Sequence, residues 1–162
     1  MTTPQEPQLR QAGSHDLPVL NAIIEAAVMS WDLPERVKRL ALPSYRYDAH
    51  DLEHLDLWVA FISSTIVGVL ALEPADPRDV PDGQRGLLVH GLYVHPDYQQ
   101  QGIGRRLLQH AEQQVRERHL DGLLVRAQSA AGEFFAAHGM QALAAQNAGR
   151  DYQYRYWKTV TP

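Results

Sequence analysis

The segment VHPDYQQQGIGRRLLQHAE, Val94 to Glu112, constrains the fold more than any other part of the chain. It follows an apolar run, Leu87 to Val94, that reads as a strand. It then opens a helix in which Ile103, Leu107, Ala111 and Val115 recur at intervals of four, with Leu108 beside them. Gln99, Gly102 and Gly104 lie at the turn between the two. Glycine adopts the angles that let successive backbone N–H groups point into one concavity. The first turn of a helix adds donors without intrahelical partners, and its dipole favours an anion. Arg105 and Arg106 add positive charge. Two readings follow: a tight strand-to-helix turn, or a cradle for a diphosphate. No Lys-Ser or Lys-Thr follows the second glycine, which removes the nucleoside-triphosphatase loop. The third glycine of the dinucleotide fingerprint is also missing.

The elements around this segment predict a mixed α/β fold on a central sheet. Leu9 to Gln11 reads as a short strand, with Ser14 as the cap of a helix that starts near Asp16. Leu17, Leu20, Ile23, Ile24 and Ala27 form its apolar stripe. Pro34 opens a second, short helix that Val37, Leu40 and Ala41 fit and Pro43 closes, and Ser44 to Glu53 gives no clear signal. Leu57 to Ile62 and Ile66 to Leu72 read as a hairpin across Ser63-Ser64-Thr65. Glu73 to Gly86, rich in proline, glycine and charge, predicts a long solvated loop. Leu123 to Ala127 reads as a strand, Ala130 to His138 as a helix capped by Gly139, and Tyr152 to Thr159 as β.

Composition narrows the function classes. The chain has 162 residues, the length of one domain (1–162, core about 9–158). It has no cysteine, so disulfides, thiolate metal sites and a cysteine nucleophile are excluded. A formal charge of −4 argues against a nucleic acid as partner. The longest uninterrupted apolar run is Leu57 to Ile62, far short of a membrane span, and the first residues lack the layout of a signal peptide. The expectation is a cytoplasmic protein with no membrane partner. Eight histidines invite a metal, but His50 and His54 stand four apart with no recognisable completing set, so no metal is expected. No G-x-S-x-G elbow supports a serine hydrolase.

Val94-His95-Pro96 followed by Gln99-Gln100-Gln101-Gly102-Ile103-Gly104 and Arg106-Leu107-Leu108 resembles the signature of GCN5-related N-acetyltransferases. The resemblance extends in element order over about residues 9 to 158. It implies a mostly antiparallel twisted sheet flanked by helices and splayed at the signature strand. It implies acetyl-CoA as cofactor, with the backbone at Leu92, Tyr93 and Val94 along the acetyl and pantetheine arm. The amides of Gln99, Gln100, Gln101, Gly102, Ile103, Gly104 and Arg105 would then hold the pyrophosphate. The family's later N-x-x-A and aromatic motif corresponds here to Ser129, Phe134 and Phe135, with Gly139 matching. Ser129 replaces the common asparagine and Met140 the usual aromatic. Phe135 stands where many members place a tyrosine that acts as general acid.

Amine acetylation needs a base for the incoming amine. His90 lies on the signature strand with the parity of Leu88, Leu92 and Val94, and a histidine titrates near neutral pH. It serves either as that base, through water, or as a packing residue. Glu73, at the end of the hairpin, either binds a cationic amine or is a solvated carboxylate. His138 and Tyr98 border the cofactor region but also fit helix closure and turn packing. Trp31, Tyr45, Tyr47 and Trp58 supply aromatic walls for an acceptor, expected to be a small-molecule amine and less so a protein amine. Tyr152, Tyr154 and Tyr156 share one face of the last strand and line a pocket, pair with a second copy in a homodimer, or simply pack. A non-catalytic acyl-CoA-binding or sensing domain is the alternative to an acetyltransferase.

Overall fold

A computed structural model of the chain describes residues 6–126, 132–143 and 155–162. β1 (Gln8–Gln11) leads through a short 3-10 turn, Ser14–Asp16, into α1 (Leu17–Met29). Asp16, not Ser14, stands at the N-cap of α1, and its side chain bonds no amide of that helix. Its carboxylate accepts the Gly13 N–H at 2.8 Å and both terminal nitrogens of Arg10 at 2.8 Å. A carboxylate can tie the turn and β1 together at once, which a single hydroxyl cannot. The hydrogen bonds from Arg10 dominate and hold the buried Asp16 carboxyl at about 2, against burial, with the Gly13 amide adding to the effect.

α2 (Glu35–Tyr45) begins after Pro34 but runs through Pro43 instead of ending there. A proline in the last turn forfeits one bond, to the carbonyl of the exposed Arg39, and the helix tolerates that. Its faces also differ from the apolar pattern. Val37 and Leu40 are exposed, whereas Lys38 is buried. The Lys38 ammonium donates to the carbonyls of Met29 at 2.8 Å and Trp31 at 3.2 Å, capping the C-terminal end of α1 with a cation. The unassigned stretch contains α3 (Ala49–His54), opened by a reciprocal Asp48–Asp51 capping box.

β2 (Asp56–Ile62) and β3 (Thr65–Pro74) form the expected hairpin, with Ser63 at φ 56° in its turn. A second 3-10 turn, Pro77–Asp79, interrupts the proline-rich loop. Then follow β4 (Gly86–Val94), α4 (Ile103–Glu117), β5 (Gly122–Arg126), α5 (Gly132–Ala137), β6 (Gln141–Leu143) and β7 (Arg155–Thr159). The strand order is β1-β2-β3-β4-β5-β7-β6. β1/β2, β5/β7 and β6/β7 pair antiparallel, and β4/β5 is parallel. Bonds from His95 N–H to Val67 C=O and from Ala75 N–H to Gly86 C=O make β3/β4 antiparallel. These bonds are eight residues apart on β3 and nine on β4, so β4 holds one extra residue, the mark of a β-bulge. Among the described residues the β4/β5 register ends at Val89↔Val125, well before β4 does. The fold is therefore the expected mixed α/β, mostly antiparallel sheet with flanking helices.

Two compact units divide the chain: Met1–Ala71 with Gly91–Leu107, and Leu72–His90 with Leu108–Pro162. In the first, Leu20, Ile23, Ile24, Ala27 and Val28 of α1 pack on Leu57, Val59, Val69 and Ala71 of the strands. A Cβ on Gly68 would stand 3.1 Å from Ile103 and 3.3 Å from Leu107, so this glycine lets α4 lie close on β3. In the second, Val80, Leu88, Leu124 and Trp157 form the core. The Trp157 ring covers Gly86 and Gly122, which are register partners on β4 and β5.

Candidate functional site

The connection from β4 to α4 is built almost entirely from backbone. His95 follows β4 and accepts the Asp97 N–H on Nδ1 at 3.1 Å. This caps a third 3-10 turn, Pro96–Tyr98, whose proline sits where no amide is needed. An N–H can only donate, so Nδ1 of His95 carries no proton in this arrangement. The Tyr98 ring stands edge-on to His95 at 5.9 Å, which accounts for it as turn packing. Beyond the turn, Gln100 has φ 63° and Gly102 has φ 80°. The first α4 bond runs from Arg106 N–H to Gly102 C=O at 3.0 Å. Among the described residues, the N–H groups of Gln100 through Arg105 have no backbone acceptor. A Cβ on Gly102 would meet nothing within 4 Å, so glycine is there for its backbone angle and the space above it is open. Gln99, Gln100, Gln101, Gly102 and Arg105 are exposed. The result is a run of amides without backbone acceptors at the positive end of a fifteen-residue helix, beside Arg105 and the half-buried Arg106.

Not every residue expected at the cofactor presents its side chain there. Leu92 and Val94 are half-buried on β4. Tyr93 and Ile103 are buried, the first in the core with α1 and the second against Gly68, so neither side chain faces a ligand. Burial, with Tyr45 beside it, pushes the Tyr93 phenol well above its ordinary range, so it stays protonated. His90 is exposed on β4 and Glu73 half-buried on the adjacent β3.

Of the rings expected to wall an acceptor, Trp31 and Tyr45 pair with each other, and Tyr45 also reaches Tyr93. Trp31 and Tyr45 meet edge-to-face at 5.5 Å, and Tyr45 and Tyr93 at 6.4 Å. Tyr47 is buried, and a Cβ on Gly91 would collide with its hydroxyl and with the Tyr93 ring. Asn21 of α1 holds this segment by pairing its amide with the Tyr47 backbone, accepting from N–H at 2.9 Å and donating to C=O at 2.8 Å. Trp58 is half-buried on β2, opposite Gln11 of β1. Asn21, Gly91 and His95 carry positioning roles that the sequence does not announce. A histidine ahead of Pro-Asp, where a Ser or Asp cap is usual, is the one available signal.

In the second unit, Phe135 is buried, with Phe134 edge-on at 5.2 Å, Tyr156 at 6.0 Å and Met140 buried nearby in sequence. His138 lies with Nδ1 2.7 Å from the Phe134 carbonyl, closing α5, and Gly139 follows at φ 83°. Tyr156 is half-buried on β7, where Arg155 and Trp157 are buried. Ser129, Tyr152 and Tyr154 lie outside the described residues.

Residues 22–140 match the family model described as Acetyltransferase (GNAT) family. Among solved structures, the chain is similar to one from Rhodopseudomonas palustris described as a GCN5-related N-acetyltransferase: aminotransferase, class-II. That match has 25% identity and a TM-score of 0.76 over 98% of this chain and 99% of that one. It is similar in fold to the PaiA N-acetyltransferase of Thermoplasma acidophilum in complex with coenzyme A, at 16% identity and a TM-score of 0.73 over 96% and 99%. A third similar fold is the ribosomal-protein-S18-alanine N-acetyltransferase of Escherichia coli, at 16% identity and a TM-score of 0.64 over 97% and 96%. No curated protein matches.

Proposed function

The chain belongs to the acetyltransferase (GNAT) family, and on that premise we infer that it transfers an acetyl group from acetyl-CoA directly to a primary amine of a small molecule, both bound at once. The observation that carries the cofactor is the open run of amides from Gln100 to Arg105, with Gly102 at φ 80° and nothing above it. Those donors fit a diphosphate, and the dipole of α4 and Arg105 add to the attraction. Bound acetyl-CoA supplies an acetyl group already activated as a thioester. The chain's part is then to hold the two reactants in line, which accounts for much of the rate. It must also remove a proton from the amine, because an ammonium has no lone pair to attack with. His90 is exposed on β4 and takes that proton, directly or through water. Glu73 on β3 holds the amine in its cationic form before transfer. The Phe135 ring has no proton to give, so the departing thiolate of coenzyme A leaves as the anion or takes its proton from water.

Small amines with an apolar body suit the half-buried Trp31 and Tyr45 rings better than a protein chain does. The test is turnover of acetyl-CoA against a pooled panel of small amines and amine-bearing peptides, with mass detection of products. An acetylated small amine is the expected product. Acetylated peptides alone would overturn the acceptor class, and thioester hydrolysis without any acetylated amine would overturn the transfer reading.

A further inference from the structure

One cluster of chemistry-bearing side chains stands apart from the acetyl-transfer residues. On α3 the i,i+4 pair His50 and His54 has Glu53, three residues after His50, on the same helix. One donor atom from each of the three lies within 4.8 Å of the others. All three side chains are exposed. The imidazole rings are 4.1 Å apart and tilted by 33°, so they present together. His54 Nδ1 lies 2.9 Å from the His50 carbonyl. A carbonyl only accepts, so Nδ1 carries a proton, which leaves Nε2 as the ring nitrogen that can face a metal ion. That arrangement, one ring nitrogen tied to a carbonyl and the other left as a donor, is how proteins orient a histidine for a metal. The Asp48–Asp51 box fixes the start of the helix and adds two carboxylates to the same turn.

We propose that His50, Glu53 and His54 bind one divalent transition-metal ion of the zinc class, through two imidazole nitrogens and a carboxylate oxygen, with water completing the shell. Nitrogen donors favour zinc, copper or nickel over magnesium or calcium, which take oxygen shells. Zinc ligands stand at roughly 2.0–2.2 Å from the ion, so the three side chains must draw together by a small amount, which exposed rotamers allow. The ion would staple α3, which joins the Tyr45–Tyr47 segment to β2.

Calorimetric titration of the intact, tag-free chain with zinc chloride, and separately with magnesium chloride, tests this. The expected result is one saturable zinc per chain and no magnesium. His54→Ala and Glu53→Gln should each weaken zinc by at least about tenfold, with the melting temperature of the metal-free protein unchanged. The double variant His50→Ala/His54→Ala should not bind it. Absence of saturable binding would overturn the proposal. Equal binding by the double variant would do so as well, by placing the ion on other histidines. A doubled mass at saturation would make zinc a cross-link between chains and overturn it too.

Discussion

Asp16 is buried, takes two hydrogen bonds from Arg10 and one from Gly13, and has its carboxyl held at about 2 instead of 3.8. A carboxyl depressed on folding stabilises the native state above its unfolded value and loses that contribution as pH falls through the folded one. The arrangement should therefore contribute in full at pH 7 and fade between about pH 4 and pH 2. Its size is about 2 kcal/mol. Asp16→Asn should lose most of that at pH 7 and almost nothing near pH 2, as urea unfolding at both pH values will show; an equal loss at both would break the link. His90 belongs to the same scale. If it takes the amine proton, His90→Ala should lower kcat by roughly 10²–10⁴-fold, leave coenzyme A affinity alone, and abolish one limb of the pH–rate profile. An unaltered profile would make His90 structural. Phe135 gives the third test. A hydroxyl added to this ring enters the neighbourhood of Phe134 and Tyr156, and burying it unpartnered costs about 1–3 kcal/mol. Phe135→Tyr should melt lower and turn over no faster; a stable variant with much faster transfer would show that only an acid was missing. None of these environments is written in a residue's own identity. Asp16 reads as a helix-start residue, and only folding brings Arg10 round to it.

Gly102 decides the behaviour of the β4–α4 connection as an element. Because its φ is 80° with no atom within reach of a Cβ, alanine there meets backbone strain and no clash. Gly102→Ala should weaken coenzyme A binding moderately, in line with ~1–2 kcal/mol for a left-handed residue. Gly102→Asp should remove it, since a carboxylate would stand where a diphosphate must. Both should keep the native circular dichroism spectrum, and equal calorimetric affinity in parent and variants would end the assignment of this loop. The element was legible because its signals are local: an apolar run, two glycines, then a four-residue period. The same locality explains where element reading failed. Pro43 looks like a stop, yet in a final turn it costs one bond and α2 passes through. Val37 and Leu40 fit a helix but stand exposed, whereas Lys38 is buried with its ammonium on the end of α1. α3 was invisible because six residues with a capping box and no buried side chain carry no periodicity to read.

At the scale of the whole molecule, the boundaries between the two compact units fall inside regular elements: after Ala71 in β3, after His90 in β4 and after Leu107 in α4. Each boundary thus cuts a strand or a helix of the chain and not a connecting loop. The order of elements was readable along the chain, whereas this division was not, because it cuts across β3, β4 and α4 instead of following sequence. Continuity of this kind predicts cooperative unfolding. Far-ultraviolet dichroism and tryptophan fluorescence should report one coincident transition; Trp31 and Trp58 report on the first unit and Trp157 on the second. The loop proposed to hold acetyl-CoA lies in the first unit, yet a ligand that binds only the native state should raise the whole transition. At a hundred times its dissociation constant, coenzyme A should add about 2.7 kcal/mol. For a chain of this length that is a rise of roughly 5–10 °C, seen equally by both probes and absent in Gly102→Asp. Two separated transitions, with only the earlier-melting probe shifted by coenzyme A, would show that the shared strands do not couple the units.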